Sequence, residues 1–210
     1  MPAGTPPAAK FHQVSPMFRS FFQKKGVTPE SPLQDASDGS QAADRAAELL
    51  IVPTALMGLT LPEARLIVRH MQPQIISKGT VFIREGDTRD TGFMMLLLDG
   101  EVTVETKVAS RPEPIIIALL GPGSLIGELG LIGGQARYAS CIAATPLRCA
   151  ILTRPALHQL MQDHPLVAAK LLLAMSCRLG ASLCEMTDKL KMYVQLTQAM
   201  EQEIASRTDA

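Results

Sequence analysis

The chain has 210 residues, 47% of them hydrophobic, and its 20 basic and 20 acidic residues cancel to a formal net charge of zero. That size suits one globular domain with appendages, and the balanced charge supplies no electrostatic footprint for non-specific DNA binding. No uninterrupted apolar run reaches the roughly 18–20 residues of a membrane span, and the N-terminus lacks the apolar core of a secretory signal, so a soluble cytoplasmic protein is expected.

Residues 1–44 are rich in Pro, Ala, Gly, Ser, Gln and Asp, as in PAGTPPAAK and TPESPLQDASDGSQAAD. Such a stretch buries too little apolar surface to order itself, and disorder is expected. One island interrupts it over 11–25: Phe11, Val14, Met17, Phe18, Phe21 and Phe22 fall at the spacings of a short amphipathic helix, followed by Lys24 and Lys25. The island either packs on the chain's own core or docks an unidentified protein partner. Four of the six phenylalanines lie in it, which keeps the second reading open.

A domain is expected over 45–155. Residues 45–71 read as helical, with Leu61-Pro62-Glu63 suiting a helix start. The texture then changes to Ile, Val and Phe over 75–83, a turn at Glu85-Gly86-Asp87, and an apolar run from Phe93 to Leu98 closed by the hairpin signal Asp99-Gly100. Val102, Val104, Thr106 and Val108 alternate with polar residues as in a half-buried strand. Ile115 to Leu120 is another apolar run, closed by Gly121-Pro122-Gly123, and 139–152 supplies a last long strand. Short strands with frequent turns and no helices between them point to an antiparallel sandwich or barrel.

Helices are expected over 156–207. A short one near 155–163 precedes Asp163-His164-Pro165, where Pro165 suits the first turn of a second. From there Leu172, Ser176, Leu179, Leu183, Met186, Leu190, Tyr193, Thr197, Met200 and Ile204 recur at steps of four and three, a heptad stripe. The stripe predicts a helix of roughly 60 Å at ~1.5 Å per residue, longer than so small a domain can cover. A parallel homodimeric coiled coil over 165–205 is the simplest cover, and packing on the chain's own β-domain is the alternative. Gly180, Ser176 and Thr197 weaken the seam.

The cysteines at 141, 149, 177 and 184 form no CxxC, and neither they nor the four histidines have metal-ligand spacing, so no metal is expected. Cys141 and Cys149 read as small core residues, and Cys177 and Cys184, two helical turns apart, sit roughly 10 Å from one another, too far for a disulfide.

The most informative stretch is GELGLIGGQARYAS, residues 127–140. Its glycines allow backbone N–H groups to turn inward as an anion nest. Arg137 offers a permanently charged forked donor that suits a phosphate, and Glu128 an acceptor that suits hydroxyls. Phosphate donors beside a hydroxyl acceptor suggest a sugar phosphate or nucleotide. Taken alone, these residues are more often a structural turn, and it is their surroundings that favour a site.

In order along the chain, Gly79 with Val81-Phe82, Glu85-Gly86-Asp87, Phe93 to Leu98 with Asp99-Gly100-Glu101-Val102, Gly121-Pro122-Gly123 with Gly127-Glu128-Leu129, and Arg137 with Ala139, Ala143 and Thr145 resemble the cyclic-nucleotide-binding domain family, bacterial cAMP-receptor type. The resemblance covers about residues 48–190. It implies a mainly β fold with flanking helices, a double-stranded β-helix or jelly-roll-like β-roll followed by a long C-terminal coiled-coil helix. It implies cAMP or cGMP as ligand, held by Arg137 on the cyclic phosphate, Glu128 on the ribose 2′-hydroxyl, and the backbone around Gly127, Glu128, Leu129 and Gly130, with Tyr138 and Ala139 beside them. Ser182 on the long helix takes the first adenine-contacting position, and no metal is implied.

Three departures from the family pattern stand out. Leu183 follows Ser182 where a polar residue is usual. Tyr138 replaces a small residue after the cassette arginine; it could donate a hydrogen bond, stack on the base or fill the pocket. No helix-turn-helix or basic cluster follows the stripe, so DNA binding is not expected. With no nucleophile–base pair and no Walker-type loop, an enzyme is not expected either. The leading reading is a homodimeric nucleotide sensor signalling through a protein partner. Its rivals are a scaffold with a degenerate pocket and a regulatory subunit that controls an enzyme or secretion machine in trans, with a different nucleotide, cyclic dinucleotides included, as its ligand.

Overall fold

The structure is a computed structural model that describes residues 27–28, 36–52, 56, 58–89 and 91–208. The island over 11–25 lies outside the described residues. The two-residue strand β1 (Val27–Thr28) pairs antiparallel with β2 (Gln72–Ile76), and helices α1 (Ala36–Leu50) and α2 (Leu61–Val68) lie between them in the chain. Strands β3 (Val81–Ile83), β4 (Phe93–Asp99), β5 (Val102–Thr106), β6 (Ile115–Leu120) and β7 (Leu125–Ile126) follow. Helix α3 (Glu128–Gly133), β8 (Ser140–Ala143) and β9 (Leu147–Thr153) complete the β region. Helices α4 (Arg154–Asp163) and α5 (Pro165–Thr208) close the chain, joined by His164 alone.

All pairings are antiparallel, in two sheets of order β1-β2-β9-β4-β7 and β3-β8-β5-β6. They form a β-roll. The apolar run of β4 is explained by burial on both faces. Phe93, Met95 and Leu97 enter the core between the sheets, with Phe82, Val102, Cys141, Leu147 and Ile151. Met94, Leu96 and Leu98 enter a second core under the helices, with Leu50, Ile67, Leu157, Leu160, Leu171 and Met175. A strand covered on both sides reads as a continuous apolar run, while β5, half covered, alternates.

Three expectations change in detail, and one strand is newly placed. The helix before the sheets begins at Ala36, inside the segment expected to lack order up to residue 44, because Ala46, Ala47 and Leu50 give it an apolar face to bury. The expected helical stretch 45–71 breaks into two: Thr60 starts α2, its N–H donating to the Glu63 carboxylate three residues on at 2.9 Å. The expected strand 139–152 is two strands in different sheets, separated around Thr145-Pro146, because Pro cannot continue a central ladder. The apolar run of β6 is not core: Ile116, Ile117 and Leu119 are exposed on the edge strand of the four-stranded sheet.

Helix α5 has 44 residues, roughly 66 Å at ~1.5 Å per residue, slightly longer than expected. It is also long and apolar enough to cross a membrane by length and composition, which uninterrupted apolar runs did not reveal because Lys170 and Arg178 punctuate it. Those two cations pair with Glu63 and Glu128 of the domain, so this part of the helix lies against the fold. Ser176 and Thr197 donate back to Leu172 O and Tyr193 O, at 2.8 and 2.9 Å, and so spend their polarity inside the helix.

Candidate functional site

Strand β7 runs into Gly127, whose φ of 84° turns the chain out of the sheet into α3. Gly127 O accepts from Gly130 N at 3.0 Å and Leu131 N at 3.3 Å. The N–H groups of Glu128 and Leu129, in the first turn, have no intrahelical acceptor. Gly130 is buried where a Cβ would fall 2.3 Å from Thr91 O and 2.5 Å from Arg137 Nη1; at Gly127 it would fall 2.6 Å from the same nitrogen. No side chain fits at either position, because the cassette backbone lies directly on the arginine.

Arg137 is held twice. Its main chain is clipped to the Glu85-Gly86-Asp87 turn: Gly86 N donates to Arg137 O at 2.8 Å and Arg137 N donates to Asp87 O at 3.0 Å. Its side chain is 8% exposed. Nη1 donates to Gly127 O at 3.0 Å, and Nη2 to Thr91 O at 3.0 Å and Phe93 O at 3.4 Å. The guanidinium carbon stands 4.5 Å from the centre of the Phe93 ring. Burial pushes the guanidinium pKa down from its ordinary value, against the pull of Cys141, Asp87 and Glu128. Ion pairing among the described residues does not include Arg137. Three carbonyls take at most three of five N–H donors, so at least two remain for an arriving anion.

Burial also pushes the Cys141 thiol up to about 12, partly opposed by Arg137, and the Cys149 thiol to about 12. Both are core thiols and not nucleophiles.

The carboxylate of Glu128 sits 3.9 Å from Arg178 Nε on α5. Tyr138 stays outside the roll: it is 64% exposed and its hydroxyl donates to Gln135 Oε1 at 2.9 Å. Of the three roles open to that phenol, filling the pocket is thereby removed. Ala139 is half-buried between Tyr138 and β8. Leu129 is exposed, and so are Ser182 and Leu183 on α5. The fold thus brings Gly127, Glu128, Gly130 and Arg137 together and leaves Ser182 one helical turn beyond Arg178 on the same face.

Two residues escaped the sequence reading. Arg178 could have been found as the residue four before Ser182, on the helix face aimed at the cassette. Arg154, which donates from Nε to Leu131 O at 3.1 Å and from Nη2 to Gly130 O at 2.8 Å, left no signal, because it recognises main-chain carbonyls.

Residues 73–164, which include this whole cassette, match the family model of the cyclic nucleotide-binding domain. The chain carries a cyclic nucleotide-binding domain. A crystal structure of such a domain from Methylobacillus flagellatus superposes with a TM-score of 0.67 at 26% identity, covering 85% of this chain and 94% of that one. A cyclic nucleotide-gated potassium channel of Rhizobium etli is 38% identical over 79 residues, 38% of this chain and 20% of the channel. A CRP-like cAMP-activated global transcriptional regulator of Mycobacterium tuberculosis is 24% identical over 129 residues, 61% of this chain and 53% of the regulator. The chain therefore spans about half or less of the length of these curated relatives.

Proposed function

We propose that the domain takes cAMP or cGMP in the cassette and that the chain signals the occupancy through α5 to a protein partner. The observation that carries this reading is the Arg137 guanidinium. It is a buried cation whose acceptors are three neutral carbonyls, with donors still unspent. A charge so placed is under-compensated, and a singly charged cyclic phosphodiester supplies the missing counter-charge. Glu128, at the start of α3, is the candidate acceptor for a ribose hydroxyl, and its pairing with Arg178 supports a role for α5 beside the same ligand. The fit is chemical as well: glycine at 127 and 130 keeps main chain against the guanidinium with no side chain between. The names of the relatives, one cAMP-activated and one cyclic nucleotide-gated, support the ligand class.

The seam of α5 is our candidate for homodimerisation. Leu183, Met186, Leu190, Tyr193, Met200 and Ile204 are all exposed along it, and a parallel coiled coil covers such a stripe. The island over 11–25 is the candidate contact for a further partner. The rival scaffold reading rests on Tyr138 and Leu183, and the phenol lying outside the roll weakens the first of these supports.

Calorimetric titration with cAMP and cGMP tests the pocket. Each charged hydrogen bond to a phosphate is worth about 1.5–3 kcal/mol, so Arg137→Lys, which loses the fork, weakens binding by about tenfold or more. Thermal unfolding checks that the variant remains folded, since the same side chain braces Gly127, Thr91 and Phe93. No heat and no thermal shift with wild-type protein at millimolar nucleotide overturns the reading.

A further inference from the structure

Arg154 spends its guanidinium on main-chain carbonyls of the cassette helix. Its two bonds to Gly130 O and Leu131 O, at 2.8 and 3.1 Å, reach the carbonyl end of α3. Carbonyls in the last turn of a helix have no intrahelical donor of the usual kind. Gly130 O already accepts from Gly134 N at 3.1 Å, and the guanidinium completes the set. Space for it is kept by Gly134, where a Cβ would meet Nη2 at 3.1 Å. The Arg154 main chain is fixed too, its N–H donating to Gly92 O at 2.8 Å at the foot of β4.

The same residue opens α4, which Thr153 caps by accepting from Ala156 N at 3.3 Å. Ten residues later the helix meets α5 through His164 alone. Helix α3 is therefore gripped at opposite ends by cations from the two helices of one arm: Arg178 of α5 at Glu128, and Arg154 of α4 at Gly130 and Leu131. The two grips differ in kind. A ligand hydroxyl arriving at Glu128 competes for the carboxylate that Arg178 holds. The carbonyls held by Arg154 face no such competition.

We propose that Arg154 is the positioning residue that makes the α4–α5 arm follow the cassette helix, so that a displacement of α3 is delivered to the arm through this guanidinium. The inference rests on the sensor reading above, and its test is arranged so that the two can fail separately. The exposed thiols Cys177 and Cys184 on α5 accept an environment-sensitive label, while Cys141 and Cys149 are buried with thiols pushed up to about 12.

With cAMP as probe, heat reports binding and the label reports the arm. Wild type gives both. Arg154→Gln keeps binding within about tenfold, because no phosphate contact is lost, and loses most of the label response. Arg154→Lys, which retains a donor and the charge, restores part of it. A full label response in bound Arg154→Gln, or no rescue by Arg154→Lys, overturns the proposal. Absence of heat in wild type defeats the sensor reading alone, and the coupling is then read without nucleotide by hydrogen exchange. Arg154→Gln is expected to speed exchange in the first turn of α4 together with that at Gly134 N; unchanged protection in α4 overturns the inference.

Discussion

The two halves of α5 carry the same apolar spacing and meet different fates. In the near half, Ala168, Leu171, Ala174 and Met175 are buried against α2, α4 and the outer face of β4 and β9. In the far half, Leu183, Met186, Leu190, Tyr193, Met200 and Ile204 stand in solvent. The buried face and the heptad stripe do not coincide. At about 100° per residue the face centred on Leu171 and Met175 lies roughly a quarter turn from the line through Leu172, Ser176, Leu179 and Leu183. The core takes one face of the helix, and the stripe runs past it along the neighbouring face. Leu172 at its start still packs partly buried against the core, but from Leu183 through Met200 the stripe is exposed, the pattern of a seam for another helix, which is why homodimerisation is the reading we favour for it.

The largest expected effect separates the halves directly. Leu171→Ala opens a cavity in a packed core and costs about 2–5 kcal/mol of stability, independent of protein concentration. Leu190→Ala removes the same atoms from an exposed position, and its cost appears only where chains associate. Urea unfolding of both variants at widely separated concentrations distinguishes them. A Leu190→Ala loss that persists at high dilution would mean that the far half folds back on its own chain.

How much of this was legible follows the same division. The β-roll was readable because its strands are covered on both faces or one, and each case leaves its own period: the run of β4, the alternation of β5. The long helix was readable from its stripe. Which face the core uses was not, because small Ala168 and Ala174 do as much there as the leucines. In the site, residue types that act through side chains (Arg137, Glu128) were visible. The acceptors of Arg137 were invisible, since Gly127, Thr91 and Phe93 contribute carbonyl oxygens that any residue possesses. The split of 139–152 into two sheets was missed because a corner at Thr145-Pro146 leaves the apolar content of both strands intact.

A smaller effect concerns how the near half is held. Glu63 of α2 accepts from Lys170 of α5, and this ammonium, helped by the Thr60 N–H, draws its carboxyl down from 4.5 to about 2. A carboxyl whose folded pKa lies below its unfolded value stabilises the fold above the unfolded pKa. The contribution is fully present at neutral pH and fades as pH falls from about 4.5 towards 2. Glu63→Gln is expected to lower stability at pH 7 and to flatten this part of the acid limb, as measured by denaturant midpoints between pH 7 and 3. An unchanged acid limb would show that Lys170 does not hold the near half in place.

The smallest effect lies at the join. Gly180 is helical, and nothing stands within 4 Å of where its Cβ would be. Alanine in an exposed helix interior is favoured over glycine by about 0.8–1 kcal/mol, so Gly180→Ala stabilises the monomer by that order. With Leu179 at a d position, Gly180 is the e residue that flanks the seam, where a partner helix passes closest. If the seam pairs as proposed and the helices approach at ordinary spacing, the methyl group is accommodated and the dissociation constant is unchanged or lower, since a stiffer join leaves less freedom to lose on pairing. A variant that is more stable at high dilution yet dissociates more readily would show that the glycine serves close approach of two backbones. The seam would then be tighter at the join than in the far half, and the contrast between the two parts of α5 would be one of packing distance as well as of burial.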